Sequence, residues 1–376
     1  MDGSFATRIK DRVRVDSPFI RLMAMDRLLQ QRYDELGGAA ALGEPVEKTI
    51  GSMWRFADWA LVVNPVDNRA YRIIGAIYAK WREVGGGFGY PQNDETATPD
   101  GVGRYNHFSN GASIYWTPAT GAHAIYGAIR DRWAELGWER SYLGYPTSDE
   151  VDFADGGRAN EFQNGGIYWW GDTGAIDLRD VIVHYTGLYC FGETDWDQGS
   201  SADEPYLIIA TTTPRTADVQ TTRIYDDVDG GESRPDLLEL YRGRPYGINL
   251  GVALMEHDFG DPNRYRDEVR QAVMAVHSAG TLALGLIPVV GPVIAAIAGP
   301  ALGSLMPSIA DALNDAFDWG DDRIGTATVT IGAKELVLLA ARTANSEFSG
   351  IGYKKETQLI SGDGASYKAY FGVVPA

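Results

Sequence analysis

Two aromatic runs and a set of acidic loops hold most of the chemistry that the side chains of this chain could do. Tyr115-Trp116 and Tyr168-Trp169-Trp170 offer flat apolar rings with polar edges, which suits stacking on sugars. Side chains alternate along a strand, so one member of each Tyr–Trp pair should face inward and the other outward. The same rings therefore also read as repeat core. Carboxylates gather at Glu193 to Glu204, at Asp226-Asp227-x-Asp229, at Glu256-His257-Asp258 and at Asp321-Asp322. Such loops either stay solvated or collect a cation, and composition does not decide between the two. Asp226 to Asp229 reads as a solvated turn. The chain lacks a Gly-x-Ser-x-Gly elbow, a Walker loop and a metalloprotease helix, so a non-enzymatic protein is expected. Paired carboxylates for glycoside hydrolysis stay open, because their spacing is spatial rather than sequential.

Composition narrows the field further. A length of 376 residues allows two or three domains, and a net charge of −18 argues against a nucleic-acid partner. A single cysteine, Cys190, excludes an intrachain disulfide framework, and the histidines are scattered. Met1 to Pro18 lacks the apolar core of a signal peptide. The stretch from Gln271 to Ala310 contains no Asp, Glu, Lys or Arg. At about twice the length of a single membrane span, and broken by Pro288, Gly291 and Pro292, it predicts an apolar helical hairpin.

The first half repeats. Gly75-Ala76-Ile77 returns as Gly127-Ala128-Ile129, and Phe88-Gly89-Tyr90-Pro91 returns as Leu143-Gly144-Tyr145-Pro146. Phe108-x-Asn110-Gly111 before Ile114-Tyr115-Trp116 returns as Phe162-x-Asn164-Gly165 before Ile167-Tyr168-Trp169. A weaker copy carries Leu42-Gly43-Glu44-Pro45 and Trp59 to Pro65. Each unit reads as a helix, a turn and a short hairpin, and such units bury their apolar faces against one another. The unit resembles the LGFP repeat of actinobacterial cell-envelope proteins. That resemblance implies attachment to the cell wall, with Tyr115, Trp116, Tyr168, Trp169 and Trp170 as candidate glycan contacts.

From Val181 the texture changes to short strands with turn signals, which predicts an antiparallel β-sandwich. This half resembles a C2-type calcium- and phospholipid-binding domain. Asp197-x5-Asp203-Glu204-Pro205-Tyr206, Glu256-His257-Asp258 and Asp322-Arg323-Ile324-Gly325 carry the likeness. It departs from the pattern by one extra residue before Pro205, by Glu at position 256, and by a third loop split by the apolar stretch. The resemblance implies Asp197, Asp203, Glu256, Asp258 and Asp322 as calcium ligands at one end of the sandwich. It also sets the hairpin in the loop that dips into a bilayer, with Leu284, Leu286, Ile287, Val289, Val290, Val293, Ile294 and Ile297 facing the membrane. An amphipathic helix should lead into it, with apolar residues at 269, 273, 274 and 276. The hairpin alternatively packs on its own sandwich or forms an oligomer interface.

The expected organisation is a leader over 1–25, repeats over 26–74, 75–126 and 127–178, and a C2-like sandwich over 179–376 with a helical insertion over 264–318. The expected function is that of a secreted or envelope-associated binding protein. It would hold cell-wall polysaccharide, associate with phospholipid with the help of calcium, and insert the hairpin as a toxin-like or pore-forming effector would. The alternative is a wall-anchored glycan hydrolase or a structural adhesin.

Overall fold

Short runs of alternating apolar residues, punctuated by glycine turns, fold into three similar meanders. The computed structural model describes residues 17–193, 203–257, 262–283, 307–312 and 323–376. The first sheet joins β1 (Glu47–Thr49), β2 (Met53–Arg55), β3 (Trp59–Asn64) and β4 (Arg69–Ile74) in chain order. The second joins β5 (Thr96–Ala97), β6 (Arg104–Phe108), β7 (Ala112–Thr117) and β8 (Gly121–Tyr126). The third joins β9 (Val151–Phe153), β10 (Gly157–Phe162), β11 (Gly165–Trp170) and β12 (Gly174–Leu178). All pairings are antiparallel. A helix precedes each meander: Pro18–Glu35, Gly75–Val84 and Gly127–Glu135. The first begins ahead of the expected repeat start at Asp26, and it buries Leu29 and Tyr33 against Trp54, Phe56, Leu61 and Val63.

The Gly-x-Pro turn of each repeat has a backbone reason for its glycine. Gly43, Gly89 and Gly144 sit at φ +71°, +75° and +71°, the left-handed region that L side chains avoid. The degraded first copy therefore keeps the turn even though Glu44 stands where the others have Tyr.

One carboxylate after each of the later two turns ties its repeat to the one before. Asp94 Oδ1 accepts the Arg72 amide of β4 at 2.7 Å, and Oδ2 takes Arg32 Nη2 of the preceding helix at 2.6 Å. Asp149 repeats this geometry, with the Ala124 amide of β8 and Lys80 Nζ both at 2.8 Å. In the first repeat the corresponding residue is Lys48, which lies over the Trp54 ring instead. Buried Asn106 adds a second tie, donating to the carbonyls of Arg72 and Asn93.

By packing, the chain divides into two compact units, Met1–Glu150 and Val151–Ala376. The repeat pattern ends near Leu178, but the third meander belongs to the second unit and packs with the C-terminal strands. Phe153, Tyr168, Trp170 and Leu178 share one core with the strands beyond Val181. That core lies between two antiparallel sheets. One runs β16 (Ser233–Gly243), β13 (Val181–Gly192), β23 (Ala365–Pro375), β21 (Lys355–Glu356), with β22 (Ile360–Gly362) also on β23. The other runs β15 (Ala217–Thr221), β14 (Pro205–Thr212), β17 (Ile248–Glu256), β18 (Arg323–Ile331). A small hairpin of β19 (Ser346–Phe348) and β20 (Ile351–Tyr353) and a helix Ala333–Ala341 complete the unit.

β14 is buried at every position and β17 at all but its last, so neither strand has a wet face. Leu207, Ile209, Leu250, Val252 and Leu254 point into the shared core. Tyr206, Ile208, Ala210, Ala253 and Met255 point the other way and are covered by Val269 and Val273 of the helix Pro262–Ala283 and by Ile309 of the helical stretch 307–312. Burial on both faces explains the unbroken apolar runs of these strands.

Candidate functional site

β7 and β11 place the aromatic runs in equivalent surroundings. Ala112, Ile114 and Trp116 lie on one face of β7, where Ile114 is fully buried and Trp116 packs half-buried at the margin of the core. Tyr115 takes the opposite face, in contact with Trp133 at 4.6 Å and stacked on Tyr105 at 5.1 Å. In β11, Tyr168 and Trp170 enter the core of the second unit and Trp169 stays half-buried. Tyr115 (3% exposed), Tyr168 (0%) and Trp170 (1%) thus have no accessible ring to offer a sugar. Of the five expected glycan contacts, Trp116 and Trp169 retain surface. Alternation along the strand is the reason, and Trp170 is sealed by a bond from its Nε1 to the Ala154 carbonyl at 2.8 Å.

The two remaining tryptophans share a neighbour. Strand register sets Arg104 opposite Trp116 and Arg158 opposite Trp169. Arg158 also pairs with Asp152 across to β9. An arginine opposite a tryptophan recurs at the same register in two repeats, and the two residue types combine an apolar ring with hydrogen-bond donors. Paired positions of this kind escape a linear reading, because register is a long-range property of the sheet.

Beside these positions the repeats bury polar groups that local sequence pattern does not single out. His107 on β6 faces Ser113, with Nδ1 2.7 Å from its hydroxyl, and burial together with the Arg130 charge lowers the imidazole to about 4. At the matching position in the next repeat stands Glu161. Burial pushes its carboxyl up, while Arg244 Nε at 3.0 Å and the Tyr246 hydroxyl at 2.9 Å favour the charged form. The Glu161–Arg244 pair braces β10 against the segment after β16.

The acidic loops are described in part. Pro205 of β14 pairs with Glu256 of β17, and Arg323 at the start of β18 pairs with Met255. Asp203, Glu256 and the first residue of β18 therefore lie at one end of this sheet. Asp203 is 2% exposed and its Oδ2 accepts the Tyr367 hydroxyl at 2.6 Å. Glu256 Oε1 accepts the Glu204 amide at 2.6 Å, and His257 Nδ1 lies 3.5 Å from Glu204 Oε2. Asp197, Asp258 and Asp322 lie outside the described residues, as do Leu284, Leu286, Ile287, Val289, Val290, Val293, Ile294 and Ile297. The expected amphipathic helix is present at Pro262–Ala283, with Val269 and Val273 buried, Val276 partly so and Met274 exposed. Its Arg270 bonds Asp218 and the Val219 carbonyl. Among the described residues no helix is long and apolar enough to cross a membrane.

A family model described as LGFP repeat matches residues 88–141 and 143–185. The match begins at the Phe88-Gly89-Tyr90-Pro91 turn and covers the second and third repeats, ending inside β13. The first repeat rests on its own geometry: the same left-handed glycine, the same four-stranded meander and the same helix. No curated protein matches the chain.

Proposed function

We propose that this chain is a cell-wall-associated binding protein whose repeats hold a glycan of the actinobacterial envelope. The observation that carries the reading is the LGFP-repeat match over the second and third meanders. The recurrent Arg104–Trp116 and Arg158–Trp169 positions supply a chemically suitable contact. Binding needs no covalent step, so the protein acts as a non-enzymatic anchor. Sedimentation with purified actinobacterial cell wall tests this. Wild-type protein should pellet with the wall, and replacing both Trp116 and Trp169 by Ala should weaken retention at least tenfold. Release of new reducing ends from the wall would instead identify a hydrolase.

A second reading concerns the other half. Its facing antiparallel sheets, with Asp203 and Glu256 at one end, support a C2-like, calcium-assisted association with phospholipid. Asp197, Asp258 and Asp322 would complete the ligand set, and the apolar stretch would enter the lipid. Calorimetry with calcium on wild type, Glu256→Gln and Asp258→Asn is the direct check. Equal heats in all three would refute the ligand assignment. Dye leakage from anionic liposomes that is the same without protein, with wild type and with a hairpin-deleted chain would remove the membrane role.

A further inference from the structure

The tie at Asp94 borders a cleft. It has a volume of about 370 Å³, within the usual range of about 300–1,000 Å³ for small-ligand sites. The helix Pro18–Glu35 contributes Leu28, Gln31, Arg32 and Glu35, and the β3–β4 hairpin contributes Asn68, Arg69, Ala70 and Tyr71. None of these belongs to the aromatic runs or the acidic loops.

The chemistry of the lining is specific. Burial works to lower the Arg32 guanidinium, but Glu35 at 3.1 Å and Asp94 at 2.6 Å outweigh it and raise its pKa. Its charge is therefore already answered by protein carboxylates. The Tyr71 hydroxyl donates to Asp67 at 2.7 Å, and burial together with that bond keeps the phenol protonated. Gln31, Asn68 and Arg69 are exposed at the rim. Two guanidiniums and two carboxylates cancel in a chain of strong net negative charge. Planar amide, guanidinium and carboxylate groups beside an aromatic ring and two aliphatic side chains match adjacent hydroxyls and the C–H face of a sugar. A phosphate or carboxylate ligand would find Arg32 already paired with Glu35 and Asp94 and would meet a further carboxylate, Asp67, beside Tyr71.

We infer that the cleft between the Pro18–Glu35 helix and the β3–β4 hairpin binds a short neutral saccharide through Gln31, Arg69 and Tyr71. The inference rests on the wall-glycan reading and assigns it a site at the junction of the first two repeats, where every lining residue but Asp94 precedes the stretch that the family model matches.

The test uses the full chain and neutral oligosaccharides cut from purified actinobacterial wall, with titration calorimetry as the readout. Wild type should bind, and binding should be lost when periodate has cleaved the vicinal diols. The double variant Gln31→Ala, Arg69→Ala should lose at least tenfold in affinity with an unchanged melting temperature, since both side chains are exposed. Affinity should change less than threefold between 50 and 500 mM salt, in keeping with the cancelled charges. Binding of the double variant equal to wild type would overturn the cleft and leave the wall reading intact. A steep salt dependence would overturn the neutral class. Failure of wild type to bind either whole wall or its fragments would overturn both.

Discussion

The junction between repeats one and two and the junction between repeats two and three share a skeleton and differ in what surrounds it. Both hold a carboxylate between a strand amide and a helix cation, and both cations pair with a glutamate three residues on, Glu35 or Glu83. Around Asp94 stand Gln31, Arg69 and Tyr71, and a cleft opens. At the matching positions around Asp149 stand Ala79, Gly121 and His123. His123 Nε2 lies 2.8 Å from the Thr120 carbonyl and Nδ1 lies 3.5 Å from Asp149 Oδ1, while Lys80 is only 14% exposed. The same fold position is thus a brace in one place and a lined recess in the other. A few side chains on the helix and hairpin decide which, and the tie itself stays the same.

The sharpest way to break this comparison is to remove the two ties separately. Asp149→Ala leaves the Ala124 amide and Lys80 without their acceptor and should cost about 3 kcal/mol in urea unfolding of the first unit. Asp94→Ala should cost less, about 2 kcal/mol, because the cation it would leave unpaired, Arg32, is 30% exposed where Lys80 is 14%. Equal losses would show that the second junction is not the tighter brace.

Acid should read out the same difference. Burial works to raise the Asp149 carboxyl, but His123, Lys80 and the Ala124 amide together hold it well below the usual carboxylate range. Its contribution is then complete above an unfolded pKa of about 3.9 and is lost as pH falls through the lower folded value. The stability gap between wild type and Asp149→Asn should shrink between about pH 4 and pH 2. A gap independent of pH over that window would remove the electrostatic account of the tie.

A smaller effect separates the turns. Gly43→Ala and Gly89→Ala both force a side chain into left-handed backbone, at about 1 kcal/mol each. At Gly89 a Cβ would also meet the Ser109 hydroxyl at 2.3 Å, whereas nothing lies within 4 Å at Gly43. Thermal melts should therefore rank Gly89→Ala as the more damaging. The smallest change is expected at Lys48. Restoring the repeat's acidic residue by Lys48→Asp should not stabilise the chain, and it removes a cation–π contact worth about 0.5–1 kcal/mol. A rise in melting temperature would mean that the first repeat also has a docking partner for that carboxylate.

Much of this is legible in the residues. The turn glycines, the spacing of the helices and the hairpins of the repeats follow from local pattern, and alternation puts the members of each Tyr–Trp pair on opposite faces, although in β7 Tyr115 is buried on one face and Trp116 packs at the core margin of the other. Trp170 reads as a surface ring because its cover, the Ala154 carbonyl and the core around Leu336, lies on other elements. Asp94 and Asp149 look like ordinary turn acids, since their partners Arg32 and Lys80 stand 62 and 69 residues away. The cleft is invisible for the same reason: no local window contains both Gln31 and Arg69. In the second unit, the amphipathic helix is legible from its apolar spacing, but that Val269 and Val273 cover the outer face of β14 and β17 is not, because those strands stand more than a dozen residues away.

That helix is held to the sheet by a definite amount of buried surface. Val269 and Val273 would leave Tyr206, Ile208, Ala253 and Met255 bare if the helix lifted away. Stripping the two valines alone forfeits about 3–6 kcal/mol of burial, and the Arg270–Asp218 bond would part as well. Two valines and one ion pair thus fasten the helix to the outer face of the sheet.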